Sequence, residues 1–147
     1  MHDPQQSALH LLQIKSTVRH RPLSKMASRV LVADDDRALQ VLLNVLLSRA
    51  GFDVDFADDG KQALTKINGD NYAVVMLDLI LPEMSGIEIL ETLKRENPER
   101  LKKIIVLTGA SRGVVDQVDK SEIHALVRKP FDIQDVIRLT AACALDR

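Results

Sequence analysis

Polar side chains that can do chemistry follow four separate apolar runs in this sequence. Two adjacent carboxylates come after the first run, a third after a later one, and then a hydroxyl and an ammonium group. In chain order these residues are Asp34, Asp35, Asp78, Thr108 and Lys129. If the runs are parallel strands, their carboxyl ends meet at one sheet edge, where ligands of open α/β folds bind. The sequence therefore predicts that the five side chains form one site.

The chemistry expected of this set is phosphoryl transfer with a metal ion. Three neighbouring carboxylates repel one another at neutral pH unless a cation joins them or their pKa values rise. Mg²⁺ suits them because it binds carboxylate, water and phosphoryl oxygens, and it neutralises charge on a transferring phosphoryl group. One carboxylate can act as nucleophile and form an acyl phosphate. Lys129 would pair with the incoming charge, and Thr108 can donate its hydroxyl to a phosphoryl oxygen.

The elements that must position these side chains are five strands that alternate with helices. Short, continuous apolar runs are typical of strands buried on both faces of a parallel sheet. They cover residues 30–33, 54–57, 73–77, 104–107 and 125–128. Helical spacing between them predicts helices over 39–50, 61–68, 85–93, 114–120 and from 132 onward. This alternation predicts a flavodoxin-like doubly wound α/β fold, a five-stranded parallel sheet in the order 2-1-3-4-5 with helices on both faces.

Helix boundaries carry their own signals. Asp36 and Asp132 stand where a cap would begin a helix, and Ser85 with Glu88 has the spacing of a capping box. Gly51 stands where a helix would stop.

The first 28 residues differ in charge from the remainder. They carry four basic residues and one acidic residue, net +3, whereas residues 29–147 carry 16 basic and 20 acidic residues, net −4. We expect residues 1–28 to be an extension and residues 29–147 to be the domain. The extension is interpreted as a disordered tail or a mis-assigned start ahead of Met26, with an organelle-targeting peptide as the third alternative.

Composition excludes several classes of function. An acidic domain lacks the basic stripe that nucleic acids require, and aromatic residues make up only 3% of the chain. Cys143 is the single cysteine, so neither a disulfide framework nor a zinc cluster is expected. No apolar run approaches the roughly 18 residues of a membrane span. We therefore predict a cytoplasmic protein without nucleic-acid or membrane partners.

The order of these motifs resembles the receiver domains of two-component response regulators, similar to the single-domain chemotaxis and sporulation regulators. The resemblance runs from about Arg29 to the C-terminus. It rests on the segments Leu31–Asp36, Val74–Gly86, Ile104–Gly109 and Arg128–Phe131. These motifs occur in order and at the spacing of the family, which makes the match specific.

The resemblance implies a role for each site residue. Asp78 would be phosphorylated with Mg²⁺ as cofactor, and Asp35 would bind the metal directly. Asp34 would act beside it through a water molecule, and the backbone carbonyl of Ile80 would complete the protein ligands. Thr108 and Lys129 would contact the phosphoryl group. The implied donor is a sensor histidine kinase or a histidine phosphotransfer protein, and the phosphorylated domain would change its binding to a downstream protein.

Further positions match the loops around the site. Pro82 and Gly86 would shape the turn after the acceptor and clear space beside it. Lys129-Pro130 matches a dipeptide often found in the cis form. Gly109 suits a position where a small side chain leaves the phosphoryl group accessible.

Three positions depart from the family pattern. Leu126 replaces the usual aromatic residue three positions before the lysine, so the switch would run from Thr108 through a loop or helix shift instead of a ring rotation. Ile80 and Ala110 are apolar where polar groups help to orient hydrolytic water. We therefore predict slow autodephosphorylation. Phosphorylation would act on the face formed by the fourth helix, fifth strand and fifth helix.

Two other functions are considered. A haloacid-dehalogenase-type phosphatase also uses an aspartate nucleophile. That chemistry usually requires a second acidic residue two positions after the nucleophile, where this sequence has Ile80. A degenerate receiver that serves only as a binding module would not need the full set of site residues. We expect a signalling switch rather than an enzyme, with no attached output domain.

Overall fold

The computed structural model describes residues 28–146, which form a five-stranded parallel sheet in the order β2-β1-β3-β4-β5. The strands are β1 (Arg29–Ala33), β2 (Asp53–Ala57), β3 (Val74–Leu77), β4 (Ile104–Thr108) and β5 (Ala125–Arg128). The predicted topology and strand order are confirmed. All strands run in one direction, so their carboxyl ends share an edge, as the site prediction requires.

Within the described part of the chain, five α-helices and two 3₁₀-helices alternate with the strands, and the last α-helix follows β5. The α-helices are α1 (Arg37–Arg49), α2 (Gly60–Gly69), α3 (Gly86–Glu96), α4 (Arg112–Val115) and α5 (Ile133–Leu145). The 3₁₀-helices cover Pro98–Lys103 and Lys120–Glu122.

Each face of the sheet has its own apolar core. Leu31 points into one core with residues of α2 and α3, whereas its neighbours Val30 and Val32 point into the other with residues of α1 and α5. This alternation follows from the period-two geometry of a strand. Helices therefore cover both faces, as predicted. Cys143 is fully buried in the second core, and burial raises the pKa of its thiol to about 11.

The predicted helix caps are confirmed. The carboxylates of Asp36 and Asp132 accept hydrogen bonds from the backbone N–H groups of Leu39 and Gln134. The hydroxyl of Ser85 accepts one from Glu88 at 3.1 Å. Gly51 ends the first helical segment with a φ angle of +97°.

The helix predicted over 114–120 is wrong in length and position. α4 ends at Val115, the chain turns, and a separate 3₁₀-helix begins at Lys120. The carboxylate of Asp119 accepts hydrogen bonds from the backbone N–H of Ser121 at 3.0 Å and from its hydroxyl at 2.6 Å. Asp119 thus starts a new turn, because these local hydrogen bonds compete with continuation of the helix.

The predicted extension lies outside the described residues, apart from Ser28. The Ser28 carbonyl accepts a hydrogen bond from the N–H of Asp53 at 2.9 Å, so the sheet pairing begins at that residue. None of the helices in the described range 28–146 is long and apolar enough to cross a bilayer.

Candidate functional site

The carboxyl edge of the sheet gathers residues from four strands. Asp34 follows β1, Asp78 follows β3, Thr108 ends β4 and Lys129 follows β5. β1 and β3 are neighbours, as are β3 and β4, so their ends converge on Asp78. The structure brings these four predicted residues into direct or shared contact.

Asp78 is almost fully buried, with 7% of its surface exposed. The hydroxyl of Thr108 donates to Asp78 Oδ1 at 2.9 Å, and the N–H of Ile80 donates to the same oxygen at 3.2 Å. Lys129 Nζ lies 3.2 Å from Asp78 Oδ2. Both carboxylate oxygens are therefore held by donors, which fixes the orientation of the group.

Lys129 is shared between two carboxylates. Its Nζ lies 2.8 Å from Asp34 Oδ2 as well as near Asp78. Burial alone would lower the pKa of Lys129, but Asp34 and Asp78 raise it overall. Burial raises the pKa of Asp34, although Lys129 and the N–H of Asp36 oppose that rise. The ammonium group thus compensates only part of the cost of burying the Asp34 carboxylate.

Three carboxylates at this edge could hold a metal ion. Oxygen atoms of Asp34, Asp35 and Asp78 all lie within 4.8 Å of one another. Oxygens at the vertices of a Mg²⁺ octahedron are separated by up to about 4.2 Å, twice the ligand distance, so a small adjustment would suffice. Three carboxylates with one lysine leave a formal charge of −3 + 1 = −2, which a divalent cation would balance. Asp35 is exposed, which leaves its carboxylate open to a ligand from solvent.

Thr108 is positioned from two directions. Its side chain is fully buried, and Oγ1 accepts a hydrogen bond from the N–H of Ala110 at 3.1 Å while its own proton points at Asp78. Leu126 is half-buried on β5, where it pairs with Val106 and packs against the core that contains α2 and α3. Its side chain is apolar, so it contributes to packing and not to hydrogen bonding at the site.

Glycines around the site differ in what they accommodate. A Cβ atom on Gly86 would lie 2.4 Å from the backbone oxygen of Asp78, so this position accepts no side chain without movement of the loop. At Gly109 an added Cβ would lie 3.7 Å from Lys129, an ordinary contact. The Lys129–Pro130 bond is cis. Gly86 therefore matches the space-clearing role expected of it, whereas Gly109 is not required by packing.

The sequence analysis missed Gly60, the first residue of α2. A Cβ there would lie 1.7 Å from the carbonyl oxygen of Met84, and the N–H of Gly60 donates to Pro82 at 2.9 Å. The loop after β3 therefore packs directly on the start of α2. The helix was predicted to begin at residue 61, so no local pattern marked the glycine that precedes it.

The same loop contains a residue with unusual backbone geometry. Glu83 has a φ angle of +71°, and the N–H of Met84 donates to the carbonyl of Pro82 at 2.8 Å around it. A positive φ is uncommon for a residue other than glycine, and such strain is found at functional loops. The contact with Gly60 holds this conformation beside the site.

Gln40 is the second residue that the sequence analysis missed. It is 5% exposed, and its Nε2 donates to the backbone oxygen of Asp34 at 2.5 Å and to Asp58 Oδ1 at 2.8 Å. The signal was a polar residue on the same helical stripe as Leu43 and Leu47, three and seven positions on. A buried polar side chain in such a stripe needs hydrogen-bond partners.

A family model described as "Response regulator receiver domain" matches residues 30–141. Among curated proteins, the chain is 35% identical over 113 residues to the transcriptional regulatory protein CpxR homolog of Haemophilus influenzae, covering 75% of this chain and 47% of that protein. It is 36% identical over 117 residues to the DNA-binding response regulator MtrA of Mycolicibacterium smegmatis, covering 78% and 50%. The chain thus spans about half the length of these relatives.

Solved structures with a similar fold include two at 29% identity. The Francisella response regulator 1452 receiver domain has a TM-score of 0.69, with 80% of this chain and 97% of that chain covered. Response regulator TrrA of Thermotoga maritima, in complex with Mg²⁺-BeF, has a TM-score of 0.68, with 79% and 98% covered.

Proposed function

Because the chain belongs to the family of response regulator receiver domains, we propose that it is a phospho-acceptor switch whose acceptor is Asp78. The observation that supports this most directly is the environment of one buried carboxylate. Thr108 and Lys129 both contact Asp78. Carboxylate oxygens of Asp34 and Asp35 lie close enough to Asp78 for the three groups to share one metal ion. This arrangement supplies a nucleophile and the groups that would stabilise its product.

In the proposed reaction, a carboxylate oxygen of Asp78 attacks the phosphorus of a phosphohistidine on a sensor histidine kinase or a histidine phosphotransfer protein. An O–P bond forms, the P–N bond breaks, and the released imidazole nitrogen takes up a proton. The product is an acyl phosphate. Lys129 carries a positive charge beside the acceptor and would pair with the transferred oxygens. Thr108 would turn its proton from Asp78 to a phosphoryl oxygen.

Mg²⁺ fits the residues that are present. Asp35 and Asp78 would hold it through carboxylate oxygens, with the Asp34 carboxylate beside them and acting through water. The backbone carbonyl of Ile80 would complete the protein ligands. Bound Mg²⁺ would neutralise the negative charge of the phosphoryl group during transfer. The relative TrrA was solved in complex with Mg²⁺-BeF at 29% identity, which supports the same metal here.

Slow autodephosphorylation is proposed from the side chains of Ile80 and Ala110. Ile80 is exposed beside the acceptor and Ala110 is buried, and neither can hydrogen-bond an attacking water through its side chain. We expect the aspartyl phosphate of the wild-type protein to persist well beyond seconds. A change of Ile80→Asn should shorten that lifetime, as followed by intact mass after removal of the phosphodonor.

The response proposed for the protein is a change in binding to a downstream protein. Thr108 would couple the phosphoryl group to the surface formed by α4, β5 and α5, with Leu126 in place of a swinging aromatic ring. We propose that the domain acts in the cytoplasm on a protein target, without membrane or nucleic-acid contacts of its own. DNA binding is part of the name of a relative of which the match to this chain covers 50%.

The central test is intact-mass analysis after treatment with acetyl phosphate and Mg²⁺. The wild type should gain one phosphoryl group, and Asp78→Asn should gain none. Asp36→Asn is the matched control, because it makes the same chemical change in a neighbouring loop and asparagine retains helix-capping ability. Equal mass gain in Asp78→Asn would refute the assignment. Multi-turnover hydrolysis of small phosphate esters would instead favour a phosphatase, and partner binding indifferent to phosphorylation would favour a binding module.

A further inference from the structure

Gln40 lies on α1 and connects two loops at the carboxyl edge of the sheet. Its amide donates to the backbone oxygen of Asp34 in the loop after β1 and to the carboxylate of Asp58 in the loop after β2. We propose that Gln40 is a positioning residue that holds the Asp34–Asp35 segment in the geometry that binds Mg²⁺. This inference rests on the metal site of the proposed function.

Packing alone does not account for a glutamine at this position. Gln40 is 5% exposed and shares its stripe with Leu43 and Leu47, where a leucine would bury more apolar surface. Burying an amide is unfavourable unless its polar atoms are hydrogen-bonded. The hydrogen bonds of Gln40 lead to Asp34 and Asp58, which follow β1 and β2 at the carboxyl edge of the sheet, so they tie these two loops together.

The carbonyl contact constrains more than one candidate ligand. Asp34 and Asp35 share the peptide group whose oxygen accepts from Gln40 at 2.5 Å. Asp36 N–H and Lys129 hold the Asp34 carboxylate from the other side. With the peptide plane also fixed, the direction in which the exposed Asp35 side chain leaves the backbone is restricted. Partners of this kind, outside the ligand shell, typically change metal affinity by about 10- to 100-fold when removed.

Asp58 fixes which way the amide of Gln40 faces. An ionised carboxylate only accepts hydrogen bonds, so it selects the NH₂ group, which also reaches Asp34. The oxygen of Gln40 then faces the guanidinium of Arg37 at 3.5 Å. Asp58 is exposed on its outer side, and its N–H donates to Gln62 Oε1 at 3.0 Å.

The first test measures Mg²⁺ affinity of the full chain by isothermal titration calorimetry. Gln40→Met keeps the length of the side chain and removes both donors, and we expect the dissociation constant to rise about 10-fold. Gln62→Met is the matched control. It removes a hydrogen bond to the backbone of Asp58 but does not touch Asp34, and its affinity should stay within about twofold of wild type.

A second measurement separates positioning from general damage. Phosphorylation by acetyl phosphate is followed by mass at increasing Mg²⁺. A positioning role predicts that Gln40→Met needs about 10-fold more Mg²⁺ for half-maximal rate but reaches the wild-type rate at saturation. A merely structural role would lower the saturated rate and leave the half-saturating concentration unchanged, which would overturn the inference.

A pair of substitutions at Asp58 keeps the inference testable if Gln40→Met does not fold. Asp58→Asn and Asp58→Ala both remove one charge, but only asparagine retains an oxygen that can accept from Gln40. We expect the alanine variant to bind Mg²⁺ more weakly than the asparagine variant. Equal affinities in this pair, or in wild type and Gln40→Met, would contradict the inference. If the wild type itself does not bind Mg²⁺, the proposed function fails as well, and that result is seen before any variant is compared.

Discussion

Two charged clusters at opposite ends of the sheet are balanced in different ways. The carboxyl-edge cluster consists of Asp34, Asp35, Asp78 and Lys129, with three negative charges and one positive charge. The amino-edge cluster consists of Asp55, Asp70, Arg29, Lys66 and Tyr72, with two charges of each sign. The amino-edge cluster is therefore neutral by itself, whereas the carboxyl-edge cluster has an excess of two negative charges.

Burial favours a higher pKa for both Asp55 and Asp34, but the net shift of the pKa has opposite directions in the two carboxyl groups. At Asp55, burial favours a higher pKa, but hydrogen bonds from Tyr72 at 2.7 Å and Lys66 at 3.1 Å lower it overall. At Asp34, burial prevails and the pKa is raised despite Lys129. Arg29 also lies over the ring of Tyr72, 4.8 Å from its centre. The amino-edge cluster stabilises the fold, and the carboxyl-edge cluster retains a charge excess suited to binding a cation.

The two edges of the sheet also differ in how tightly they are packed. Alanine substitutions of the glycines at the two ends of α2 should show this difference most strongly. Gly60→Ala at the carboxyl edge places a methyl group 1.7 Å from the Met84 oxygen, so we expect a loss of about 3 kcal/mol in unfolding free energy. Gly69→Ala, at the other end of the same helix, meets no atom within 4 Å and should be neutral or stabilise by about 0.5 kcal/mol. Urea denaturation measures both, and similar values would remove the packing contrast.

Removing the lysine from each cluster should show the charge contrast. Lys129→Met leaves two buried carboxylates without their cation, and we expect a loss of about 2 kcal/mol without metal, partly recovered by Mg²⁺. Lys66→Met is the matched control, because Asp55 keeps its contacts with Tyr72 and Arg29. Lys66→Met should lose less unfolding free energy, and this loss should not change when Mg²⁺ is added. A Lys129→Met variant as stable as wild type would contradict the comparison.

Asp55→Asn should weaken the neutral cluster in a pH-dependent way. The folded-state pKa of Asp55 is lowered, so its stabilisation is present above the unfolded pKa of about 3.9 and is lost as pH falls through the folded value. We expect the variant to be about 1 kcal/mol less stable at pH 7 and the gap to close in acid. Asp53→Asn, exposed on the same strand, should show no gap. Denaturation curves from pH 3 to 7 provide the measurement.

Asp35→Asn should change the unfolding free energy in the opposite direction and by the smallest amount. Asp35 is exposed and adds to the excess negative charge, so its neutralisation should stabilise the metal-free domain by about 0.5 kcal/mol. With Mg²⁺ the advantage should reverse, because the wild type gains binding free energy that the variant lacks. Thermal unfolding in EDTA and in Mg²⁺ measures both. If Asp35→Asn instead destabilised the domain in EDTA, repulsion among the carboxylates of the carboxyl-edge cluster would not be what lowers its stability.

The fold and the location of the candidate site were predictable from local patterns in the chain. Buried parallel strands appear as continuous apolar runs, and residues such as Asp34, Asp78 and Lys129 stand directly after them. Such signals are local, because each depends on residues a few positions apart. The caps at Asp36, Ser85 and Asp132 were predictable for the same reason.

The contacts that hold the carboxyl edge together could not be predicted in this way, because they join residues that are far apart in the chain. The Gln40 bond to Asp58 joins residues 18 positions apart, and the close approach of Gly60 to Met84 joins the start of α2 to the loop after β3. The sharing of Lys129 between Asp34 and Asp78 spans 95 and 51 positions. Distances between remote residues follow from packing of the whole sheet, which no local pattern encodes. The chain order therefore places the charges at one edge, and packing sets the balance between them.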